Sequence, residues 1–288
     1  MHPVLFRHPW GEAQSYGTLI LVGVLLTMVG VRYDLRRRGL GAPTPGTLLL
    51  DLYLALAAGV IVGGRLLFVL TTPERYLRDP LAAFAIAPTG FVFFGSLAGM
   101  VVAVFVLCRI RRLPAGPMFD VVATWTPIAH AFGRLGCFAA GCCYGAPTDL
   151  PWGVSFPPDA IVFEDPRIPH AGPSTTVPLH PVQLYEAALL LGIAAGLVVR
   201  RLRGVPPPWS QAALYGAAYG FGRFLLEFLR GDADRRFLAE VRLPALARIL
   251  HVPEDAPLLL STSQAVGLAV GIGAASIYVH VQRRRARA

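Results

Sequence analysis

The chain has 288 residues, 55% of them hydrophobic and only 15% charged, with a mean hydropathy of +0.56 and a net charge of +9. That balance excludes an ordinary soluble domain of this length and places the chain among integral membrane proteins. All 26 basic residues are arginine, and they cluster between apolar runs. Membrane topology and attraction to anionic lipid account for such a charge, so no nucleic-acid partner is expected.

Apolar runs of bilayer length fall near 15–31, 48–71, 90–108, 119–140, 182–199, 210–229 and 258–281. The sequence therefore predicts an all-α membrane protein with seven transmembrane helices, forming a single domain over residues 1–288. The first run lacks an A-x-A-like cleavage site and reads as a retained helix rather than a signal peptide. Arg32, Arg36, Arg37 and Arg38 follow the first run, Arg109, Arg111 and Arg112 the third, and Arg200, Arg201 and Arg203 the fifth, while Arg283, Arg284, Arg285 and Arg287 end the chain. Arginine clusters mark cytoplasmic loops, which puts the N terminus outside and the C terminus in the cytoplasm. Loops 141–180 and 230–257 then lie outside and provide a small extracytoplasmic cap. The prolines of the first loop predict short extended pieces and turns.

Several ionisable side chains interrupt the runs: Asp51, Arg65, Asp120, Arg134, Glu186, Arg223 and Glu227. Such residues are expensive in lipid and usually face partners inside the bundle. Asp51 and Arg65 read either as a structural pair or as snorkelling head groups. Arg134, Arg223, Glu227 and Arg230 lie at outer helix ends, far from the cytoplasmic clusters. In "RFLLEFLR" the charges fall at i, i+4 and i+7, which predicts one bundle-facing stripe of Arg223, Glu227 and Arg230.

"LHPVQLYE" opens the fifth run with His180, Gln183, Tyr185 and Glu186, and Pro181 stands near the helix start, where its missing N–H matters little. "HAFGRLGCFAAGCCYG", at 130–145, predicts Gly-rich turns on both sides of Arg134. Free backbone N–H groups and a guanidinium there would seat a phosphate, such as a phospholipid head group at the outer leaflet. The C-x4-C-C spacing of Cys137, Cys142 and Cys143 matches no standard zinc pattern, so no metal is expected. A disulfide from Cys137 to Cys142 or Cys143 stays open on the oxidising face. Otherwise these thiols, like Cys108, are small packing residues, and neither chelator nor reductant should inhibit the protein.

Taken in order, these motifs resemble the prolipoprotein diacylglyceryl transferase family. The family signature G-R-x-G-N-F-x-N-x-E-x-x-G is kept by Gly133, Arg134, Gly136, Phe138 and Gly145. Its H-P-x-Q-L-Y-E is matched by His180, Pro181, Gln183, Leu184, Tyr185 and Glu186, and its R-F-x-x-E-F-x-R by Arg223, Phe224, Glu227, Phe228 and Arg230. Tyr16–Gly17, Gly63–Gly64–Arg65 and Ser263–Gln264 are also similar to the family.

The resemblance implies transfer of the diacylglyceryl group of phosphatidylglycerol to the lipobox cysteine of a preprolipoprotein, forming a thioether and releasing glycerol phosphate. It implies no cofactor, and a site facing the outer leaflet of the bacterial cytoplasmic membrane. Catalytic roles carry over to Arg134, Arg223, Glu227 and Tyr16. Substrate-binding roles carry over to Arg134, Gly136, Gly145, His180, Gln183, Tyr185, Glu186, Arg223 and Arg230. Three positions depart from the pattern: Cys137 replaces an asparagine, Cys142 replaces the glutamate, and Phe94 stands where a histidine or tyrosine is expected. The usual general base is therefore missing, although a cationic site lowers a substrate thiol from its ordinary pKa of about 8.5. Two other functions compete, a phospholipid-binding relative without transferase chemistry and a thiol- or metal-dependent oxidoreductase. The latter lacks any recognisable quinone or haem motif.

Overall fold

The computed structural model describes residues 4–8, 11–40, 45–78, 92–232, 235 and 237–287. Its helices are α1 (Ser15–Arg37), α2 (Pro45–Thr71), α3 (Pro73–Arg78), α4 (Phe93–Ile110), α5 (Ala115–Ala140), α6 (Val182–Leu202), α7 (Ser210–Leu226), α8 (Pro244–Leu250) and α9 (Thr262–Arg287). Three antiparallel strand pairs lie between them: β1 (Val4–His8) with β2 (Gly11–Gln14), β3 (His170–Gly172) with β4 (Thr175–Thr176), and β5 (Phe237–Arg242) with β6 (Pro257–Ser261). Four helical stretches, Ser15–Arg37, Gly46–Thr71, Val182–Leu202 and Thr262–Arg287, are long and apolar enough to cross a bilayer. Large apolar side chains stand outward along the helices, Val29 at 69% exposure and Leu70 at 64%. Water would penalise such surfaces and lipid does not, so this is a mostly helical membrane protein.

The described residues form two compact units, Gly30–Val121 and Met1–Val29 with Val122–Ala288. In the first, α2 and α4 meet through glycines. A Cβ on Gly63 would lie 2.3 Å from the Gly95 carbonyl oxygen, and one on Gly99 would lie 2.1 Å from that of Gly59. Small residues four apart on both helices allow this backbone approach, which is how apolar helices associate without a hydrophobic drive between them. Asp51 pairs with Arg111 rather than with Arg65. Fourteen residues of helix separate Asp51 from Arg65, about 21 Å, which is beyond side-chain reach. Arg65 instead lies over the rings of Tyr76 and Phe68, at 5.6 and 5.9 Å. The opening of the "TGFVFFGSLAG" stretch, residues 89–91, lies outside the described residues, and Phe94 stands in the first turn of α4.

In the other unit α7 and α9 repeat the glycine device, with a Gly220 Cβ only 2.6 Å from the Gly271 nitrogen. Gln211 joins three helices, its Nε2 donating to the Leu197 carbonyl at 2.8 Å and to the Thr124 hydroxyl at 3.2 Å. The loop 141–180 has a core of its own, made by Tyr144, Phe156, Ala160, Val162, Ile168 and Leu179. Val154 and Leu179 exchange backbone hydrogen bonds of 2.9 and 3.0 Å, and Tyr144 donates its hydroxyl to Asp165. Residues 144–147 run between the head of α6 and the end of α7. Ala146 donates to the Leu229 carbonyl at 2.9 Å and accepts from the His180 N–H at 3.0 Å. The last apolar run starts later than its hydropathy indicates, because Pro257–Ser261 pair with β5 and α9 begins at Thr262. Leu258 is fully buried, packed with Ala146, Ala247 and Val252 under the loops, so its hydropathy reports a small core rather than lipid.

Candidate active site

Of the charged side chains named from the sequence, Arg134, Glu186, Arg223 and Glu227 converge where the ends of α5, α6 and α7 meet the loop 141–180. Arg134 lies within α5, which runs unbroken from Ala115 to Ala140. No turn flanks Arg134 directly, and the chain turns only at Gly141–Cys143, after α5 has ended. Gly133 and Gly136 continue the helix because no proline or cap interrupts it there, and their N–H groups are therefore not presented to a ligand. What the ends of these helices present instead is a set of guanidinium groups.

Arg134 Nε lies 3.1 Å from Glu186 Oε1, and the Glu186 side chain is 2% exposed. Tyr219 Oη donates to the same oxygen at 2.7 Å, and His130 Nε2 is 3.9 Å away. His130 Nδ1 in turn lies 3.2 Å from the Tyr215 hydroxyl. Ala131, Ala187 and Leu190, with Leu135, Tyr215 and Tyr219 packed on them, form the apolar floor beneath these groups. Removing water in this way strengthens each charge contact above it.

A second group follows at the end of α7. Arg223 Nη2 lies 2.6 Å from Glu227 Oε2, one helical turn apart as the spacing predicts. Arg230 does not complete the stripe. The α-helix ends at Leu226, Glu227–Leu229 form a 3-10 turn, and Arg230 is extended, pairing with Asp232 through an Nε–Oδ1 bond of 2.7 Å. The tighter turn and the extended residue rotate Arg230 away from the i+7 position. Arg235 replaces it on Glu227, with its Nε 3.2 Å from Oε1 and its Nη1 donating to the Arg230 carbonyl at 2.7 Å. Arg134 and Arg223 both act electrostatically on Glu186. Four guanidinium groups, those of Arg134, Arg223, Arg230 and Arg235, thus face three carboxylates, those of Glu186, Glu227 and Asp232. One cation is in excess. Arg223 Nη1 is buried with no hydrogen-bond partner among the described residues.

Tyr16 stands in the first turn of α1, 42% exposed, and packs on Gly136, where a Cβ would meet its ring at 3.0 Å. Its phenol is within electrostatic reach of Arg134 and of all three clustered cysteines. The remaining candidates fasten the surrounding loops. Gln183 Nε2 donates to the Cys142 carbonyl at 2.8 Å, and Tyr185 Oη accepts from Trp152 Nε1 at 2.8 Å. Gly145 forms a bridge with Arg230, and a Cβ there would lie 2.3 Å from the His180 carbonyl oxygen. His180, almost fully buried, places Nε2 3.1 Å from the Leu250 carbonyl, which fixes the proton on that nitrogen and leaves Nδ1 unpartnered among the described residues.

Burial lowers the His180 pKa below its ordinary value. A depressed folded-state histidine pKa means that the unfolded chain binds the proton more readily. His180 therefore contributes stability that is present above about pH 6.5 and is lost as the pH falls below it. In detergent, thermal unfolding midpoints followed from about pH 7.5 down to 5 should fall more steeply for the wild type than for His180→Gln. Parallel slopes would show that His180 is not the titrating group.

The family model for prolipoprotein diacylglyceryl transferases matches residues 3–280. The chain belongs to this family. It is 30% identical to the phosphatidylglycerol–prolipoprotein diacylglyceryl transferase of Clostridium tetani over 81% of this chain and 86% of the relative. The protein of that name from Geobacter sulfurreducens is 35% identical over 82% and 85%, and one from Cereibacter sphaeroides is 38% identical over 78% and 76%. Among the side chains of this cluster, the sequence reading left out Tyr215, Tyr219 and Arg235, and gave His130 no role beside Arg134. Three of these were within reach of the pattern. Gln211, Tyr215, Tyr219 and Arg223 recur every fourth residue along α7, with Glu227 next in the series just past its end, and His130 precedes Arg134 by one turn. Arg235 lies beyond the end of the helix, where no periodicity indicates its position.

Proposed function

We propose that this chain transfers the diacylglyceryl group of phosphatidylglycerol to the lipobox cysteine thiol of preprolipoproteins, forming a thioether and releasing glycerol phosphate. The observation that carries this reading is the buried cluster of four arginines and three carboxylates. Its one excess positive charge and the open Arg223 Nη1 suit a single phosphodiester. Displacement at the glycerol carbon needs a sulfur nucleophile and a stabilised leaving phosphate. Arg134 and Arg223 hold the phosphate and neutralise the charge that builds on it. Glu186 and Glu227 aim those two guanidinium groups, Arg230 adds charge from the loop side, and Tyr16 lines the exposed edge.

The arginine distribution supports seven spans in a single membrane domain of the bacterial inner membrane. On that topology the N terminus is outside and the cluster opens toward the outer leaflet, where the lipobox cysteine is presented. Expression in a bacterium conditionally depleted of its own transferase tests the reading. Growth and lipoprotein processing should be restored. A stable, membrane-inserted product that binds phosphatidylglycerol but restores neither would favour the second reading, a phospholipid-binding relative, for which Phe94, Cys137 and Cys142 are the motivating departures.

A further inference from the structure

The chemistry of Cys137, Cys142 and Cys143 remains unassigned, and their Sγ atoms all lie within 4.8 Å of one another. We propose that these three thiolates seat a thiophilic divalent cation, zinc by ligand type, whose fourth position takes the acceptor's cysteine thiol. The proposal rests on the transferase reading above. It accounts for how a chain with Phe94 in place of a basic side chain generates its sulfur nucleophile.

The convergence is built by the backbone. Cys137 is in the last turn of α5, and the next residues reverse direction through two left-handed positions, Gly141 at φ +73° and Cys143 at φ +55°. Left-handed backbone is unfavourable for cysteine by about 1–2 kcal/mol, so the surrounding contacts must hold it. Cys142 donates its N–H to the Cys137 carbonyl at 3.1 Å, and Gln183 grips the Cys142 carbonyl. Gly141 is pressed against Ala160, whose methyl would lie 2.6 Å from any added Cβ. The turn brings two consecutive thiols back onto the third. Thiolates around a tetrahedral zinc stand roughly 3.8 Å apart, so closure needs only small shifts.

Charge and ligand number agree with this seat. Three thiolates and a divalent ion carry one net negative charge, and Arg134 and Arg230 both act electrostatically on Cys143. Three protein ligands leave a position open, as in catalytic rather than structural zinc sites, so a structural spacing pattern is not required. Tyr16 lies within electrostatic reach of the three thiols and Arg134 of Cys137 and Cys143, which places the seat beside the phosphate cluster.

Coordination removes the acceptor's thiol proton, which passes to water. The bound sulfur then forms the S–C bond to the glycerol carbon as the C–O bond to the phosphate breaks. The electron pair leaves with glycerol phosphate, which is held by Arg134 and Arg223, and the cation and its three ligands are unchanged.

The test uses the reduced full-length protein in detergent, titrated with cobalt(II) chloride. Thiolate-to-cobalt charge-transfer bands and tetrahedral visible bands should saturate at equimolar metal, survive Cys108→Ser and disappear with Cys143→Ser. A lipobox peptide should shift the visible bands, and its serine counterpart should not. Chelation should lower turnover about a hundredfold or more, as expected on losing the group that makes the nucleophile, and zinc should restore it. Thioether-forming protein that shows no cobalt bands would overturn the metal seat and leave the transferase reading standing. Bands indifferent to the cysteine peptide would overturn the fourth-position assignment. A disulfide among the three thiols in active protein, found by thiol counting before reduction, would overturn the seat. Cobalt bands in a protein that never forms thioether would sink the transferase reading and leave the seat standing.

Discussion

Arg134→Ala lowers turnover by about 10²–10³-fold, the usual cost of removing one donor from a charge that develops in the transition state. It also destabilises the fold, because Glu186, 2% exposed to solvent, loses its direct guanidinium partner and keeps the Tyr219 hydroxyl at 2.7 Å and His130 at 3.9 Å. Breaking a buried pair from one side costs about 3–5 kcal/mol, most of it for the stranded charge. The two effects separate in Arg134→Ala/Glu186→Gln. With the carboxylate neutralised, the thermal midpoint recovers most of the loss, while turnover stays low because the phosphate still lacks its guanidinium. Arg134→Lys falls between wild type and alanine, since it keeps the charge and loses the two-pronged geometry. Wild-type turnover in a normally expressed Arg134→Ala protein would remove Arg134 from the site.

Glu227→Ala has the other large effect. Its carboxylate carries both Arg223, at 2.6 Å, and Arg235, at 3.2 Å, and its side chain is 1% exposed. Alanine leaves two buried cations without their counter-charge, again about 3–5 kcal/mol out of a typical total of about 5–15. Poor accumulation in the membrane is the expected outcome. Glu227→Gln keeps the shape and removes the charge, and so isolates the effect on catalysis. Arg223 then loses its aim, and kcat falls by about a hundredfold, the scale of a small misplacement at a reacting group. The KM for phosphatidylglycerol does not rise, because the cluster has become more positive and still attracts phosphate. A raised KM with unchanged kcat would mean that Glu227 only helps lipid to bind.

The apolar runs, the arginines near helix ends and the i, i+4 pairing of Arg223 with Glu227 could all be read from residue spacing, because helical periodicity fixes which side chains share a face. What periodicity cannot reach is the point where a helix stops. The 3-10 turn at Glu227–Leu229 moved Arg230 onto Asp232 and let Arg235 take the position expected for Arg230. Pro257–Ser261 are as apolar as a membrane segment but pair with Phe237–Arg242, a long-range contact that hydropathy does not encode. The cysteines show the same limit. Their C-x4-C-C spacing has meaning only once the left-handed turn at Gly141 and Cys143 folds the chain back on Cys137.

The most direct measurement is mass spectrometry of a lipobox peptide incubated with the purified protein and phosphatidylglycerol. The account predicts a peptide heavier by one diacylglyceryl group, joined to cysteine by a thioether that survives hydroxylamine, with glycerol phosphate appearing in equal amount. Tight phosphatidylglycerol binding with an unmodified peptide, under conditions where a family member forms the adduct, would contradict it.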